Sequence, residues 1–128
     1  MYSHVMLGSN DLDRSKKFYD ALFAATGGKE GRVDPRGRLV YVNNGGILLI
    51  TKPIDGEAAA PGNGSTVGFA VDGPEQAQAW EQAGVAAGGT AIEDPPGVRS
   101  GSGMNLYLAY LRDPDGNKLC ALHRLPNE

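Results

Sequence analysis

The stretch Leu111-Arg112-Asp113-Pro114-Asp115-Gly116-Asn117-Lys118-Leu119-Cys120-Ala121-Leu122 decides the reading of this chain, because it places a tight turn between two apolar runs. Pro114 presets φ, Asp113 and Asp115 are able to bond back to their own backbone, and Gly116 tolerates φ > 0. The chain is therefore expected to reverse between Leu106–Leu111 and Lys118–Leu122, forming a hairpin near the C-terminus. Counting by two from the turn puts Lys118, Cys120 and Leu122 on one face of the last strand. Leu119, Ala121 and His123 fall on the other.

An internal repeat extends this reading to the whole chain. Ser3-His4-Val5-Met6-Leu7 is a short apolar run that passes through Ser9-Asn10-Asp11 into a helical stretch ending at Gly27-Gly28. Thr66-Val67-Gly68-Phe69-Ala70-Val71 is a second such run, and it passes through Asp72-Gly73-Pro74 into a helical stretch ending near Gly84. In the first helix Asn10 or Asp11 is the expected cap, with Leu12, Phe18, Tyr19 and Leu22 on the apolar side. In the second, Pro74 suits the first turn, and Ala77, Trp80, Ala83 and Ala87 make the stripe. Three strand-like runs follow each helix. They lie near Lys29–Val33, Leu39–Asn43 and Ile47–Thr51 in the first half, and near Thr90–Glu93, Leu106–Arg112 and Lys118–Leu122 in the second. The expected fold is α+β, with two βαβββ modules. Module 1 covers residues 1–52, a linker residues 53–64 and module 2 residues 65–128.

Composition removes several classes of function. The chain has 128 residues, one domain's length, and its 41% hydrophobic content is enough for a sizeable core. Twelve basic against fifteen acidic residues give a net charge of −3, with no basic cluster to hold a phosphate backbone, so nucleic-acid binding is not expected. The longest apolar run, Leu106–Leu111, is far short of the roughly 20 residues that span a bilayer, and no secretory leader pattern opens the chain. A cytoplasmic protein without membrane contact is the expectation. A single cysteine permits no internal disulfide, and no Cys-x-x-Cys pair is present.

Glycine and proline concentrate in two segments, Pro53–Gly64 and Asp94–Gly103, both read as loops. Arg99, at the centre of the second, is a candidate grip for an anionic or polar ligand, with Arg112 as a second rim charge. Tyr41, Tyr107 and Tyr110 offer aromatic walls with a hydroxyl handle. Asp113 and Asp115 are turn formers rather than a catalytic carboxylate pair. Gly97, Gly101 and Gly103 lack the strand-turn-helix setting of a phosphate loop.

The closing hairpin, the repeat and the strand order together resemble the vicinal-oxygen-chelate superfamily, which contains glyoxalase I, the bleomycin and fosfomycin resistance proteins and the extradiol dioxygenases. There a "DPDGN-x-x-E" hairpin delivers a metal-binding glutamate; the matching residue here is Cys120. The resemblance implies a glyoxalase-like cupped, mixed β-sheet with four metal positions on its inner faces, one on the first and one on the last strand of each module. Carried over, these are His4, Leu49, Thr66 and Cys120. A divalent ion open to substrate wants about three N, O or S ligands, so His4 and Cys120 are the candidate metal ligands and the candidate catalytic pair, His4 as base or ligand and Cys120 as ligand or thiol. Thr66 is a ligand-contact candidate. The resemblance implies zinc or another divalent metal; with one standard ligand of four retained, the purified protein is expected to hold none. Two functions follow: binding of a small polar or aromatic molecule in the cup by an enzyme of lyase, isomerase or dioxygenase type with a degenerate metal site, or metal-free binding of the kind that sequesters a drug. Open sheet edges and an apolar inner face imply a homodimer.

Overall fold

The computed structural model describes residues 1–101 and 103–126. Ser102 of the second glycine-rich segment and the last two residues of module 2 lie outside the described residues. The expected repeat is present: β1 (Val5–Gly8), α1 (Leu12–Ala24), β2 (Arg32–Val33), β3 (Leu39–Asn43) and β4 (Gly46–Thr51), then β5 (Val67–Ala70), α2 (Pro74–Ala86), β6 (Thr90–Ala91), β7 (Gly97–Gly101), β8 (Met104–Arg112) and β9 (Lys118–Arg124). Sheet 1 has the order β1-β4-β3-β2 and sheet 2 the order β5-β9-β8-β6, each with its first strand parallel to its last.

Local chemistry accounts for the elements. Asp11 caps α1 by accepting from the Arg14 N–H at 3.1 Å. Gly27 then takes φ +83°, letting the Gly28 N–H turn back to Phe23 O at 2.7 Å and close the helix. Phe18, Tyr19, Leu22 and Phe23 form its buried stripe. Helix α2 starts at Pro74 as expected but runs past Gly84 to Ala86. Gly84, not Ala83, is buried with Ala77 and Trp80, because a Cβ there would lie 2.3 Å from Leu111 Cδ1. The glycine is a packing contact rather than a helix end.

One expected loop is a strand. β7 lies within Asp94–Gly103 and pairs antiparallel with the first half of β8, while β6 holds only the last two residues of β8. Strand β8 is nine residues long, so it presents more ladder than β6 covers.

Two patches join the modules. The Phe23 and Phe69 rings meet edge to face at 5.3 Å, within a core that also takes Leu39, Leu48 and Ile50 from sheet 1 and Leu111, Leu119 and Ala121 from sheet 2. The closing hairpin forms the second patch. Asp113 Oδ1 accepts the Asp115 and Asn117 N–H groups, while its Oδ2 takes the Tyr19 hydroxyl at 2.6 Å. Asp115 accepts from the Asn10 N–H, from Arg14 at 2.8 Å and from Ser15. The turn thus carries the end of module 2 onto the first turns of α1. The linker is clipped there too, through paired hydrogen bonds between the Asn10 side-chain amide and the Ala59 backbone.

Candidate functional site

Strand alternation sorts the sheets into two faces. Leu39, Tyr41, Leu48 and Ile50 of sheet 1, and Tyr107, Ala109, Leu111, Leu119 and Ala121 of sheet 2, belong to the core under the helices. The opposite, helix-free faces carry Met6, Val40 and Leu49 on sheet 1, in register with one another, and Gly68, Cys120 and Tyr110 on sheet 2. Lys118, Cys120 and Leu122 share one face of β9, away from buried Leu119 and Ala121.

Cys120 is the centre of the sheet 2 face. It is buried between Gly68 and Tyr110, and a Cβ on Gly68 would stand 3.1 Å from Sγ, so glycine at that point leaves the thiol its room. Burial pushes the Cys120 thiol up, the Lys118 ammonium opposes this and the Glu93 carboxylate adds to it. Lys118 stands over the Tyr110 ring, 5.0 Å from its centroid, and pairs with Glu93. Glu93 holds its place with φ +59°, a conformation uncommon for a residue with a side chain. Burial also raises the Tyr110 phenol, helped by Cys120 and Glu93 and opposed by Lys118 and Arg99. Sequence reasoning found Lys118 beside Cys120 but missed Glu93. Its signal is register: Glu93 follows β6, which pairs with the Leu111–Arg112 end of β8 near Lys118.

The other candidates are spread around this centre. Tyr110 shares the Cys120 face; Tyr41 and Tyr107 do not. Tyr41 is a core residue whose hydroxyl donates to Asp20 at 2.7 Å, and burial and that carboxylate keep its phenol protonated far above the ordinary range. The Tyr107 hydroxyl accepts from the Gln78 amide at 2.8 Å, on the helix side. Arg99 has its backbone in β7 and donates to the Asp94 and Pro95 carbonyls at 3.0 Å, bracing its own segment. Arg112 donates to Gly116 O at 2.7 Å, across the hairpin turn. His4 is exposed, one residue before β1, and shares a hydrogen bond with Ser3 Oγ at 2.8 Å. Thr66 is exposed, one residue before β5.

The residues at the four family positions do not suit a divalent ion. His4 precedes β1 and Leu49 lies in sheet 1, Thr66 precedes β5 and Cys120 lies in sheet 2; one is an aliphatic side chain, one a neutral hydroxyl and one a thiol whose proton is held by burial. Among the described residues no group of three or more His, Cys, Asp or Glu side chains is placed to share a metal.

Two cavities lie where β1 and β5 approach each other. One, of about 260 Å³, is walled by Val5, Phe23 and Leu48 of module 1 and by Phe69, Val71 and Trp80 of module 2. The other, of about 240 Å³, lies between Met6–Gly8, the linker and Lys118.

Comparison with known proteins agrees with the fold. The family model described as "Glyoxalase/Bleomycin resistance protein/Dioxygenase superfamily" matches residues 2–121. A solved glyoxalase/bleomycin resistance protein from Albidiferax ferrireducens T118 is 56% identical, with 97% of this chain and 99% of that chain covered and a TM-score of 0.93. The lactoylglutathione lyase of Agrobacterium tumefaciens (20% identity, 95% and 92% covered, TM-score 0.66) and the fosfomycin resistance protein FosX of Mesorhizobium loti (14% identity, 95% and 90% covered, TM-score 0.65) share the fold. No curated protein matches the chain. A family match over nearly the whole length, carried by two strand-helix-strand modules, each with its first strand parallel to its last, and a closing Asp-Pro-Asp-Gly-Asn hairpin, makes this chain a member of the glyoxalase/bleomycin resistance protein/dioxygenase superfamily.

Proposed function

We propose that the chain is a metal-independent small-molecule binding protein that holds a polar or aromatic ligand against the helix-free face of sheet 2. The observation that carries this is the group of Tyr110, Lys118 and Glu93 around Cys120. It supplies an aromatic surface, a cation and an anion on one face of rigid strands, while the family's metal positions hold Leu49 and Thr66. Such a face orients a ligand by stacking and by charge without needing a Lewis acid. The names of the similar proteins, resistance proteins among them, support binding of a small molecule and leave its identity open.

The metal content of the purified protein tests the reading. Wild type should carry no stoichiometric Zn, Mn, Ni or Fe, whereas Thr66→His with Cys120→Glu, which leaves only Leu49 unmatched, should gain a thermal stabilisation that grows with metal concentration. One tightly held metal per site in wild type, lost on His4→Ala, would overturn the proposal and favour a metal-dependent enzyme.

A further inference from the structure

The Tyr110 face of sheet 2 carries a charge imbalance that the pairing of Lys118 with Glu93 leaves uncorrected. Arg99 lies opposite Leu106, so alternation along β8 puts it on the same side of the sheet as Leu108 and Tyr110. Its guanidinium turns back along β7. There Nη2 donates to the Asp94 and Pro95 carbonyls, both at 3.0 Å, and Nη1 lies 3.3 Å from the place a Cβ on Gly97 would take. Those carbonyls are beside Tyr110. The Ile92 N–H donates to Tyr110 O at 3.4 Å and Gly97 pairs with Leu108, so residues 93–96 bow out at the level of Ala109 and Tyr110. The same bow brings Glu93 to Lys118, whose ammonium stands over the Tyr110 ring. Three charged side chains from three segments thus meet around one phenol. Burial is the first cause that raises this phenol, Cys120 and Glu93 add to it, and Lys118 and Arg99 both oppose it.

Two cations against one carboxylate leave one positive charge at this point. Among the described residues Arg99 pairs with no carboxylate, and its Nη1 and Nε have no acceptor. The bonds through Nη2 fix the group without neutralising it, because a carbonyl is a dipole and not a charge. Arg112 and Arg124, the other charged residues that alternation places on this face of β8 and β9, are basic too. The rest of the face is apolar. Leu108 and Leu122 lie side by side across β8 and β9, and beyond them Gly68 and Ala70 of β5 project little above the strand. A flat ring can lie close to such a floor.

We infer that the ligand of this face is a small aromatic monocarboxylate, its carboxylate held between Arg99 and Lys118 at the Tyr110 hydroxyl and its ring laid across Leu108 and Leu122 toward Ala70. The inference rests on the ligand-binding role proposed for the face and names the chemical class. A neutral molecule of the same shape leaves Arg99 without a counter-ion, and a small anion without a ring leaves the apolar floor wet.

The backbone ¹⁵N resonances of Tyr110, Cys120 and Leu122 report on the face directly. At low ionic strength benzoate should move them saturably, and added salt should weaken the effect. Benzamide, with the same shape and no charge, should bind about tenfold more weakly, the share of one charged hydrogen bond. Acetate, with the charge and no ring, should also bind more weakly than benzoate. Arg99→Gln should bring benzoate down to the affinity of benzamide. Glu93→Gln should act in the opposite sense and tighten benzoate several-fold, since it removes the acid that competes for Lys118; a purely structural Glu93 would give no such gain. Resonances unmoved by benzoate would overturn the inference, as would equal affinity for benzoate and benzamide, or for benzoate and acetate. These readings use the unsubstituted protein, so they decide the matter even if a variant fails to fold. Benzamide binding here as tightly as benzoate would leave the broader reading of a polar or aromatic ligand standing, whereas stoichiometric metal in wild type removes that reading by itself.

Discussion

Single residues show most directly how environment sets chemistry. Cys120 is a thiol on the expected face, but burial and Glu93 hold its proton more firmly than Lys118 releases it. Iodoacetamide should therefore alkylate Cys120 more slowly than free cysteine at pH 7–8, with the rate rising only as the pH passes the ordinary thiol range near 9; fast modification at neutral pH, read by mass spectrometry, would contradict this. The linked effect on stability has the same origin. The unfolded chain gives up this proton first, so the contribution is full below the ordinary thiol value and is lost as pH rises beyond it. Asp113 was legible as a turn former, and so it is, yet its second oxygen is spent on Tyr19, far away in sequence. Since burial and Asp113 keep the Tyr19 phenol protonated, Tyr19→Phe removes a donor to a buried carboxylate and should cost about 1.5–3 kcal/mol in urea unfolding. The three tyrosines mark the boundary of what the sequence shows. Tyr107 and Tyr110 are three apart in one strand, so alternation alone puts them on opposite faces, whereas Tyr41's bond to Asp20 depends on how β3 meets α1.

At the scale of elements, both helices and the closing hairpin were legible because caps, periodicity and turn residues are local signals. β7 was not, because its cause lies elsewhere in the chain. Gly97-Val98-Arg99-Ser100-Gly101 has little strand preference of its own and follows two prolines; it is a strand because β8 extends beyond β6 and offers it a ladder. Arg99 shows the consequence, since the residue expected to reach a ligand from a loop is tied by its guanidinium to Asp94 and Pro95. Gly84 is the opposite case, a local signal with a tertiary meaning. Alanine there gains about 1 kcal/mol of helix propensity, but its Cβ would meet the Cδ1 of fully buried Leu111 at 2.3 Å. Overpacking of this kind costs about 1–3 kcal/mol, so Gly84→Ala should lower the melting temperature. A raised melting temperature would mean that Leu111 and Leu22 repack freely.

For the whole molecule, the question is what covers the helix-free face of sheet 1. Met6, Val42 and Ile47 lie there with 41%, 57% and 40% of their surfaces exposed, beside buried Leu49 and Val40, and among the described residues β1 and β5 each have one edge unpaired. Their shared face was legible from the alternation of β3 and β4. Their exposure was not, because it depends on α1 packing on the other side of the sheet, where Phe23, Leu48 and Ile50 join the core. An apolar patch on a sheet with a free edge is a surface that soluble chains ordinarily cover, and a second copy of the same chain supplies one of matching shape. We therefore expect a homodimer, sedimenting at twice the chain mass at micromolar concentration. Charge placed on the patch should undo it: Met6→Lys with Val42→Lys desolvates two ammonium groups if the partner covers this face, and should leave a folded monomer with an unchanged far-ultraviolet circular dichroism spectrum. A wild type that sediments as a monomer would remove the dimer. A double variant that remains dimeric would move the interface to another face and leave this one open to ligand or solvent.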